Sequence, residues 1–221
     1  MLQEQEIKGF TIFELLVVIT IVGIISAVGY PNFSKWKKDR NVRLGAERIF
    51  SLYANLISQT QRGQYSYVRI KTKINKKDNS VELITQGMRK DTFSKELNAG
   101  TALSCSDKDN WDNEKINSYK TSDLATHLDE DGSVCFSIDG SYYQLEGKLD
   151  KNDNIFIENR NIAKKDYMII CYKSVSKKSK KITKCPKLSL LGKDDPAYLI
   201  EWSRFGTINK FKWDGNGWRR L

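Results

Sequence analysis

The apolar run at residues 10–28 constrains what this chain can form more than any other feature of the sequence. As an α-helix rising ~1.5 Å per residue, a run of about 20 residues is long enough to cross the hydrocarbon core of a bilayer. The run also holds a carboxylate, Glu14, and no Lys, Arg or His occurs between Phe10 and Ser34. A charge at such depth costs on the order of 2.5–3.5 kcal/mol. Glu14 therefore needs a partner, for which a free α-amino group is one candidate.

The residues around this run resemble a prepilin signal. A short polar leader ends in Lys8-Gly9, the aromatic Phe10 follows, Glu14 stands four residues later, and the apolar helix continues. This arrangement resembles the N-terminus of type IV pilins and of type II secretion pseudopilins. The resemblance implies that prepilin peptidase cuts between Gly9 and Phe10 and methylates the new Phe10 amine. It also implies that Glu14 pairs with the Phe10 amine of a neighbouring subunit during filament assembly.

Two other types of N-terminal segment are alternatives. A signal anchor could carry the same apolar run with an incidental Glu. A cleavable secretory signal has a shorter apolar core and small residues at its exit, which Tyr30-Pro31-Asn32 does not match. Four basic residues follow the run, Lys35, Lys37, Lys38 and Arg40. The positive-inside rule alone would place them in the cytoplasm. The prepilin resemblance implies the opposite orientation, a single pass through the bacterial inner membrane with a periplasmic C-terminal domain.

The helical pattern extends well beyond the apolar run. Gly23 and Pro31 lie inside it, and either residue can kink a helix. The resemblance implies unwinding between such positions in a filament, and a simple bend is the alternative. Six residues then recur at spacings of three and four, which places them on one face: Ala46, Ile49, Phe50, Tyr53, Leu56 and Ile57. Gly63 is the predicted C-cap, so the sequence predicts one helix of roughly 80 Å over residues 10–62.

The remaining chain has the patterns of β-strands. Predicted strands lie at residues 68–74, 81–85, 133–138, 142–149, 155–159, 167–174, 198–202 and 207–213. Asp139-Gly140 predicts a hairpin, residues 91–97 a short helix, and residues 98–131 an irregular segment with Trp111 as its one large anchor. These patterns predict an α+β fold, in which a long N-terminal helix packs on an antiparallel β-sheet.

The order of these elements resembles the GspH/FimT group of minor pilins and minor pseudopilins. The predicted organisation is a leader at residues 1–9, a transmembrane and assembly helix at 10–30, an amphipathic continuation at 31–63, and a periplasmic β domain at 64–221. The specific resemblance covers the N-terminal motif, and over the rest of the chain it is diffuse.

Four cysteines, Cys105, Cys135, Cys171 and Cys185, lie beyond the apolar run. An even number on the periplasmic side predicts disulfides, because that compartment is oxidising. Three connectivities exist, and pairing nearest with nearest predicts Cys105–Cys135 and Cys171–Cys185. Zinc is the alternative, but the sequence has no C-x-x-C and His127 is its only histidine.

A net charge of +10 favours anionic partners in principle, although the 27 lysines against 10 arginines also fit a low-GC codon bias. Basic residues concentrate at 173–187, mostly between Cys171 and Cys185, and near the end of the sequence, where Lys210 and Lys212 are interleaved with Trp213 and Trp218. The candidate DNA-binding residues are Lys177, Lys178, Lys180, Lys181, Arg219 and Arg220. A solvated basic loop is the alternative.

No motif predicts catalysis or a cofactor. Asp150, Asn152 and Asn154 have the spacing of a calcium loop, but Ile155 replaces the required Gly and Asn161 the bidentate Glu, which favours a turn. We therefore predict no enzyme activity, cofactor or metal. The sequence predicts a structural subunit, a minor pilin or pseudopilin, whose partners are other subunits, prepilin peptidase and the inner membrane. A DNA-binding minor pilin and an unprocessed membrane-anchored domain are the alternatives.

Overall fold

The computed structural model describes residues 10–75, 77, 80–100, 111, 115–126, 133–137, 142–146, 155–157, 160–162, 166–173, 185, 191–203 and 206–221. The chain divides into two compact units, Met1–Lys38 and Asp39–Leu221. The elements are, in order, α1 Ile12–Gln61, β1 Tyr65–Asn75, β2 Ser80–Arg89, α2 Lys90–Asn98, β3 Lys115–Thr121, β4 Leu124–Thr126, β5 Ser133–Ser137, β6 Tyr142–Glu146, β7 Ile155–Ile157, β8 Arg160–Ile162, β9 Tyr167–Tyr172, β10 Ala197–Trp202, β11 Ile208–Trp213 and β12 Trp218–Arg220.

Helix α1 confirms the predicted long N-terminal helix. It ends at Gln61, and the residues beyond it close the last turn by hydrogen bonds from Gly63 N–H to Thr60 O and from Gln64 N–H to Gln59 O. Gly63 has a φ of 71°, the left-handed conformation that glycine adopts without a Cβ penalty. The predicted C-cap is therefore confirmed.

By length and apolarity, no single helix in the described part of the chain qualifies as a membrane span, whereas the segments Ile12–Ala27 and Asn32–Gln61, bent by 44°, qualify together. The break between these segments contains Pro31, while Gly23 lies inside the first one. Proline removes a backbone hydrogen-bond donor, which gives a bend at this point a physical cause. Unwinding in a filament stays a prediction.

In the described residues, the β-strands form two five-stranded sheets and a separate β7–β8 ribbon. The first sheet has the order β3-β2-β1-β5-β6 and the second sheet has the order β12-β11-β10-β9-β4. Every strand pair in the described residues is antiparallel. The α+β class is therefore confirmed and is consistent with a pilin-like fold, and the antiparallel strands divide between two sheets. Strand periodicity reports which face is buried and not which sheet a strand joins.

One core joins the second half of α1 to both sheets. The helix contributes an apolar face whose buried side chains are Val42, Ala46, Ile49, Tyr53, Leu56 and Ile57. The first sheet contributes Val68, Ile70 and Phe136 among others, and the second contributes Met168, Ile170 and Trp202. The predicted helical face is thus confirmed, with Phe50 partly buried at its margin. A face this wide can cover strands from two sheets at once.

The outer faces of the sheets carry two smaller clusters. Behind the second sheet, Ile169, Leu199 and Phe211 pack with Cys171 and Cys185, and this group is called the second cluster below. Behind the first sheet, Trp111 packs with Met88 and Cys135. The Arg69 guanidinium lies 4.2 Å from the centre of the Trp111 ring. The predicted anchoring role of Trp111 is thereby confirmed.

Most predicted elements are present, with two kinds of correction. The short helix α2 and the strand pairs β1–β2, β5–β6 and β10–β11 confirm the predictions for those segments. Residues 98–131 are not wholly irregular, because they contain β3 and β4. Strands β8 and β12 were also missed. These strands are short or rich in polar residues, and pairing with a neighbour decides their conformation more than intrinsic propensity does.

Candidate functional site

The N-terminus of α1 is closed by a reciprocal pair of hydrogen bonds between Thr11 and Glu14. The Thr11 N–H donates to Glu14 Oε2 at 3.0 Å, and the Glu14 N–H donates to Thr11 Oγ1 at 3.2 Å. The Thr11 hydroxyl also donates to Glu14 Oε2 at 3.0 Å. This geometry is a capping box. Thr11, which directly precedes the helix, and Glu14, its third residue, each accept a hydrogen bond from the other's backbone N–H.

Thr11 was not among the residues predicted from the sequence. Its signal was present, because Thr11-Ile12-Phe13-Glu14 is a T-x-x-E pattern that directly precedes an apolar run. The Glu14 carboxylate therefore has a partner within its own chain. A cut between Gly9 and Phe10 would leave the capping box in place, because the Thr11 N–H belongs to the Phe10–Thr11 peptide bond.

The first turns of α1 expose an unusually large apolar surface. All side chains from Phe10 to Ala27 are exposed, with Phe10 at 86% and Phe13 at 78%. Soluble monomers rarely expose contiguous apolar patches of more than a few hundred Å². This surface wraps around the helix, so it requires an apolar environment on every side, such as a bilayer or a bundle of similar helices.

The same segment carries a recognised sequence motif. Residues 7–30 match the prokaryotic N-terminal methylation motif. The match supports a type IV pilin-like protein that prepilin peptidase processes and that assembles with other pilin subunits. Such a motif indicates a structural protein, and it suggests membrane anchoring and assembly into filaments. No curated protein and no solved structure matches the chain.

Within this pilin-like segment, the predicted site residues fall close together. Phe10 and Glu14 stand on either side of the capping residue Thr11 at the helix start. Gly9, on the other side of the predicted cut, lies outside the described residues. The Phe10 amine and the Glu14 carboxylate are the two groups that the expected pairing between subunits requires.

Disulfide bonds were predicted from the number and spacing of the cysteines. Cys171 and Cys185 form a disulfide with a Cα–Cα distance of 5.8 Å, which confirms that pairing. It fastens residue 185 to β9, and the Cys185 N–H also donates to Thr126 O at 3.4 Å. Cys135 is disulfide-bonded as well. Its predicted partner Cys105 lies outside the described residues, so the Cys105–Cys135 pairing stays a prediction.

The basic residues near the end of the chain are largely engaged in the fold. Lys210 forms an ion pair with Glu47 of α1, and Lys212 forms one with Asp39 at 3.2 Å. Both lysines are thus bound to carboxylates of the helix. Arg219 and Arg220 are exposed on the edge strand β12. The predicted DNA-binding residues Lys177, Lys178, Lys180 and Lys181 lie outside the described residues.

The two tryptophans beside these residues pack against each other. The rings of Trp213 and Trp218 meet edge to face with centroids 5.4 Å apart. The Trp213 indole N–H donates to Gly192 O at 3.0 Å, and both rings border the second cluster. Both rings are therefore partly used in packing, which weakens the prediction that they stack on nucleic-acid bases.

A cavity of about 450 Å³ lies beside these residues and is lined by carboxylates and cations. Two of its carboxylates hold turns: Asp195 accepts from the Gly192 N–H at 2.8 Å, and Asp214 accepts from the N–H groups of Asn216 and Gly217. These hydrogen bonds lower the pKa of Asp214. In the part of the chain that the structure describes, no three His, Cys, Asp or Glu side chains are placed to hold a metal. The predicted turn around Asp150, Asn152 and Asn154 lies outside that part, as does His127.

Proposed function

We propose that this chain is a structural subunit, a minor pilin or minor pseudopilin similar to the GspH/FimT group. It joins either a type IV pilus or a type II secretion pseudopilus. The observation that carries the proposal is the methylation motif at residues 7–30, placed on a helix whose apolar surface is exposed all round. That surface has the composition and length that insertion in a bilayer and packing in a helical bundle both require.

In the proposed topology the apolar segment crosses the inner membrane once and the β domain lies in the periplasm. The disulfide between Cys171 and Cys185 supports this orientation, because disulfides persist in the periplasm and are rare in the cytosol. Prepilin peptidase cuts between Gly9 and Phe10 and methylates Phe10. In the filament, the Glu14 carboxylate neutralises the Phe10 amine of a neighbouring subunit, while Thr11 caps the helix within each subunit.

Processing is tested by N-terminal sequencing and intact-mass measurement of the chain extracted from membranes. We expect a mature chain that begins at a methylated Phe10. Cells that lack prepilin peptidase serve as the control and should yield the chain with residues 1–9 attached. An N-terminus at Met1 in cells with active peptidase would overturn the proposal.

Assembly is tested by Glu14→Ala, with Thr11→Val as the matched control. Glu14→Ala should leave membrane insertion intact or improved, since it removes a charge from the apolar segment, and should reduce incorporation into filaments. Thr11→Val removes the cap hydroxyl but keeps the carboxylate. Incorporation should therefore fall much less in Thr11→Val. Equal losses in the two variants would assign Glu14 to helix capping and exclude its role between subunits.

A second candidate function is DNA binding by the same subunit. The observation that favours it is the adjacent, exposed pair Arg219 and Arg220 on β12. Arg220 donates to Asn209 Oδ1 at 2.7 Å, which orients its guanidinium along the strand surface. Guanidinium groups bind phosphate in a bidentate manner.

A further inference from the structure

The stretch that follows the apolar segment combines exposed aromatic and basic side chains. Tyr30, Phe33 and Trp36 are 76%, 59% and 54% exposed, and the rings of Phe33 and Trp36 are 5.7 Å apart. Lys35, Lys37 and Lys38 are exposed in the same turn. Tyrosine and tryptophan concentrate where a membrane-spanning helix passes from hydrocarbon to headgroups, because their rings are apolar and their edges polar.

The lysines lie at the outer edge of a headgroup layer. Along the helix axis, Tyr30 stands ~30 Å from Phe10, which is about the thickness of the hydrocarbon core. Lys35 and Lys38 stand about 37 and 42 Å from Phe10 along the helix, and the bend of 44° at residues 28–31 lowers their height above the hydrocarbon. If Phe10 lies at one boundary of the hydrocarbon, the headgroup layer at the other ends about 35–37 Å away. Lys35 then lies at the outer edge of that layer and Lys37 and Lys38 just outside it, from where their long side chains reach back to the headgroups.

The lysines also point to different sides of the helix. At about 100° per residue, Lys37 and Lys38 are rotated by about 200° and 300° from Lys35, and Trp36 occupies the widest gap. A contact with one neighbouring subunit would place its charged residues on a single helix face. A lipid headgroup layer surrounds the helix. Positive charges on several sides of the helix at one height can therefore all contact headgroups.

We propose that Lys35, Lys37 and Lys38 bind the phosphates of anionic lipid headgroups at the membrane surface where the apolar segment ends. Tyr30 and Phe33 anchor the helix just below them, and Trp36 lies at their own height. This inference rests on the proposed function. It adds a lipid partner that holds the subunit at a fixed height before assembly, and each juxtamembrane lysine strengthens attraction to an anionic surface.

The test uses the full processed chain reconstituted in phosphatidylcholine vesicles that contain brominated lipid. Bromine quenches tryptophan at short range, and the signal of Trp36 is the difference between the wild-type chain and Trp36→Phe. We expect brominated phosphatidylglycerol to quench Trp36 at least about two-fold more than the same fraction of brominated phosphatidylcholine, since charge enriches anionic lipid around the lysines. Added salt should reduce the difference.

The key variant replaces Lys35, Lys37 and Lys38 by Gln and should lose the preference for phosphatidylglycerol. The matched control replaces three exposed lysines of the β domain, Lys73, Lys90 and Lys95, and changes the net charge equally. It should keep the preference.

The outcomes separate this inference from the proposed function. Equal quenching by the two lipids, or an unchanged preference in the variant, would overturn lipid binding and leave membrane insertion standing. If neither lipid quenches Trp36, the inference fails. If the chain also fails to float with the vesicles, the proposed function fails with it.

Discussion

The rings of Tyr53 and Trp202 are stacked, with centroids 5.1 Å apart and planes inclined by 9°. Phe136 meets both rings edge on, at 6.0 Å from Tyr53 and 6.3 Å from Trp202. Tyr53 belongs to α1, Phe136 to the first sheet and Trp202 to the second. These three rings therefore join the helix to both sheets at one point of the core.

Tyr53→Ala should destabilise the β domain strongly. Tyr53 is fully buried, and removing its ring leaves a cavity between two sheets, for which a loss of ~3–5 kcal/mol in the free energy of unfolding is expected. Urea unfolding of the full chain in detergent, followed by the fluorescence of the core tryptophan, measures the loss. Tyr53→Phe is the control, because it keeps the ring and removes only the contact of the hydroxyl with Met168 Sδ at 3.7 Å. Similar losses of stability in the two variants would show that the stacked ring itself does not stabilise the core.

The Tyr53 hydroxyl also predicts how stability depends on pH. Burial raises the pKa of Tyr53 above its ordinary value near 10, so the folded state keeps this proton when the unfolded chain releases it. This contribution is fully present below about pH 10 and is lost as the pH rises further. The stability of the wild-type chain should therefore fall more steeply above pH 10 than that of Tyr53→Phe. If the stability of the two chains falls equally with pH in that range, the raised pKa of Tyr53 is refuted.

Gly45→Ala should destabilise the chain although the substitution favours helix formation. A Cβ at position 45 would overlap Leu124 Cδ1 and lie 3.3 Å from the Tyr119 hydroxyl, at the point where the chain passes from β3 to β4. Overpacking of this kind costs about 1–3 kcal/mol, against a helix gain of about 0.5–1 kcal/mol. Gly217→Ala is the control, because nothing lies within 4 Å of its Cβ position. Thermal unfolding compares the two, and a Gly45→Ala chain more stable than wild type would show that Leu124 moves aside freely.

Removing the disulfide between Cys171 and Cys185 should destabilise the second sheet. The bridge spans 14 residues of sequence, and a loop of this size corresponds to about 3 kcal/mol of stability by the chain-entropy estimate. The double variant Cys171→Ser with Cys185→Ser should unfold at lower urea concentration, and non-reducing peptide mapping should show the bridge in the wild type. Free thiols at both positions in periplasmic protein would refute both the bridge and the compartment.

DNA binding should depend on Arg219 and Arg220 and not on Lys210 and Lys212. The two arginines are exposed, whereas the charges of Lys210 and Lys212 are neutralised by Glu47 and Asp39. We expect Arg219→Ala with Arg220→Ala to weaken binding of a labelled duplex, and Lys210→Gln with Lys212→Gln to leave it nearly unchanged. Fluorescence anisotropy in a salt titration measures both, with a log–log slope near −0.9 per neutralised phosphate.

Two results would contradict DNA binding. If the wild-type chain does not bind duplex or single strand at ~50 mM salt, where phosphate contacts are strong, DNA binding is excluded. If the two double variants lose affinity equally, the surface around β12 is not a specific contact. In either case the structural-subunit proposal is unaffected.

Local features were predictable from the sequence, because each depends on residues close together in the chain. The spacing of Phe10 and Glu14 and the cap at Gly63 are of this kind, and so is the bridge between Cys171 and Cys185. The capping box of Thr11 with Glu14 was equally local and could have been found from its T-x-x-E pattern. Strand β3 was harder to predict, because its polar sequence is held in the sheet by pairing with β2.

Patterns with periods of a few residues predicted the apolar N-terminal segment, the apolar face of α1 and most of the strands. The division of the strands between two sheets and the ion pair of Lys210 with Glu47, 163 residues away in sequence, could not be predicted in this way. A side chain's charge or apolar surface specifies that it needs a partner, whereas the choice of partner depends on which distant segments the folded backbone brings together.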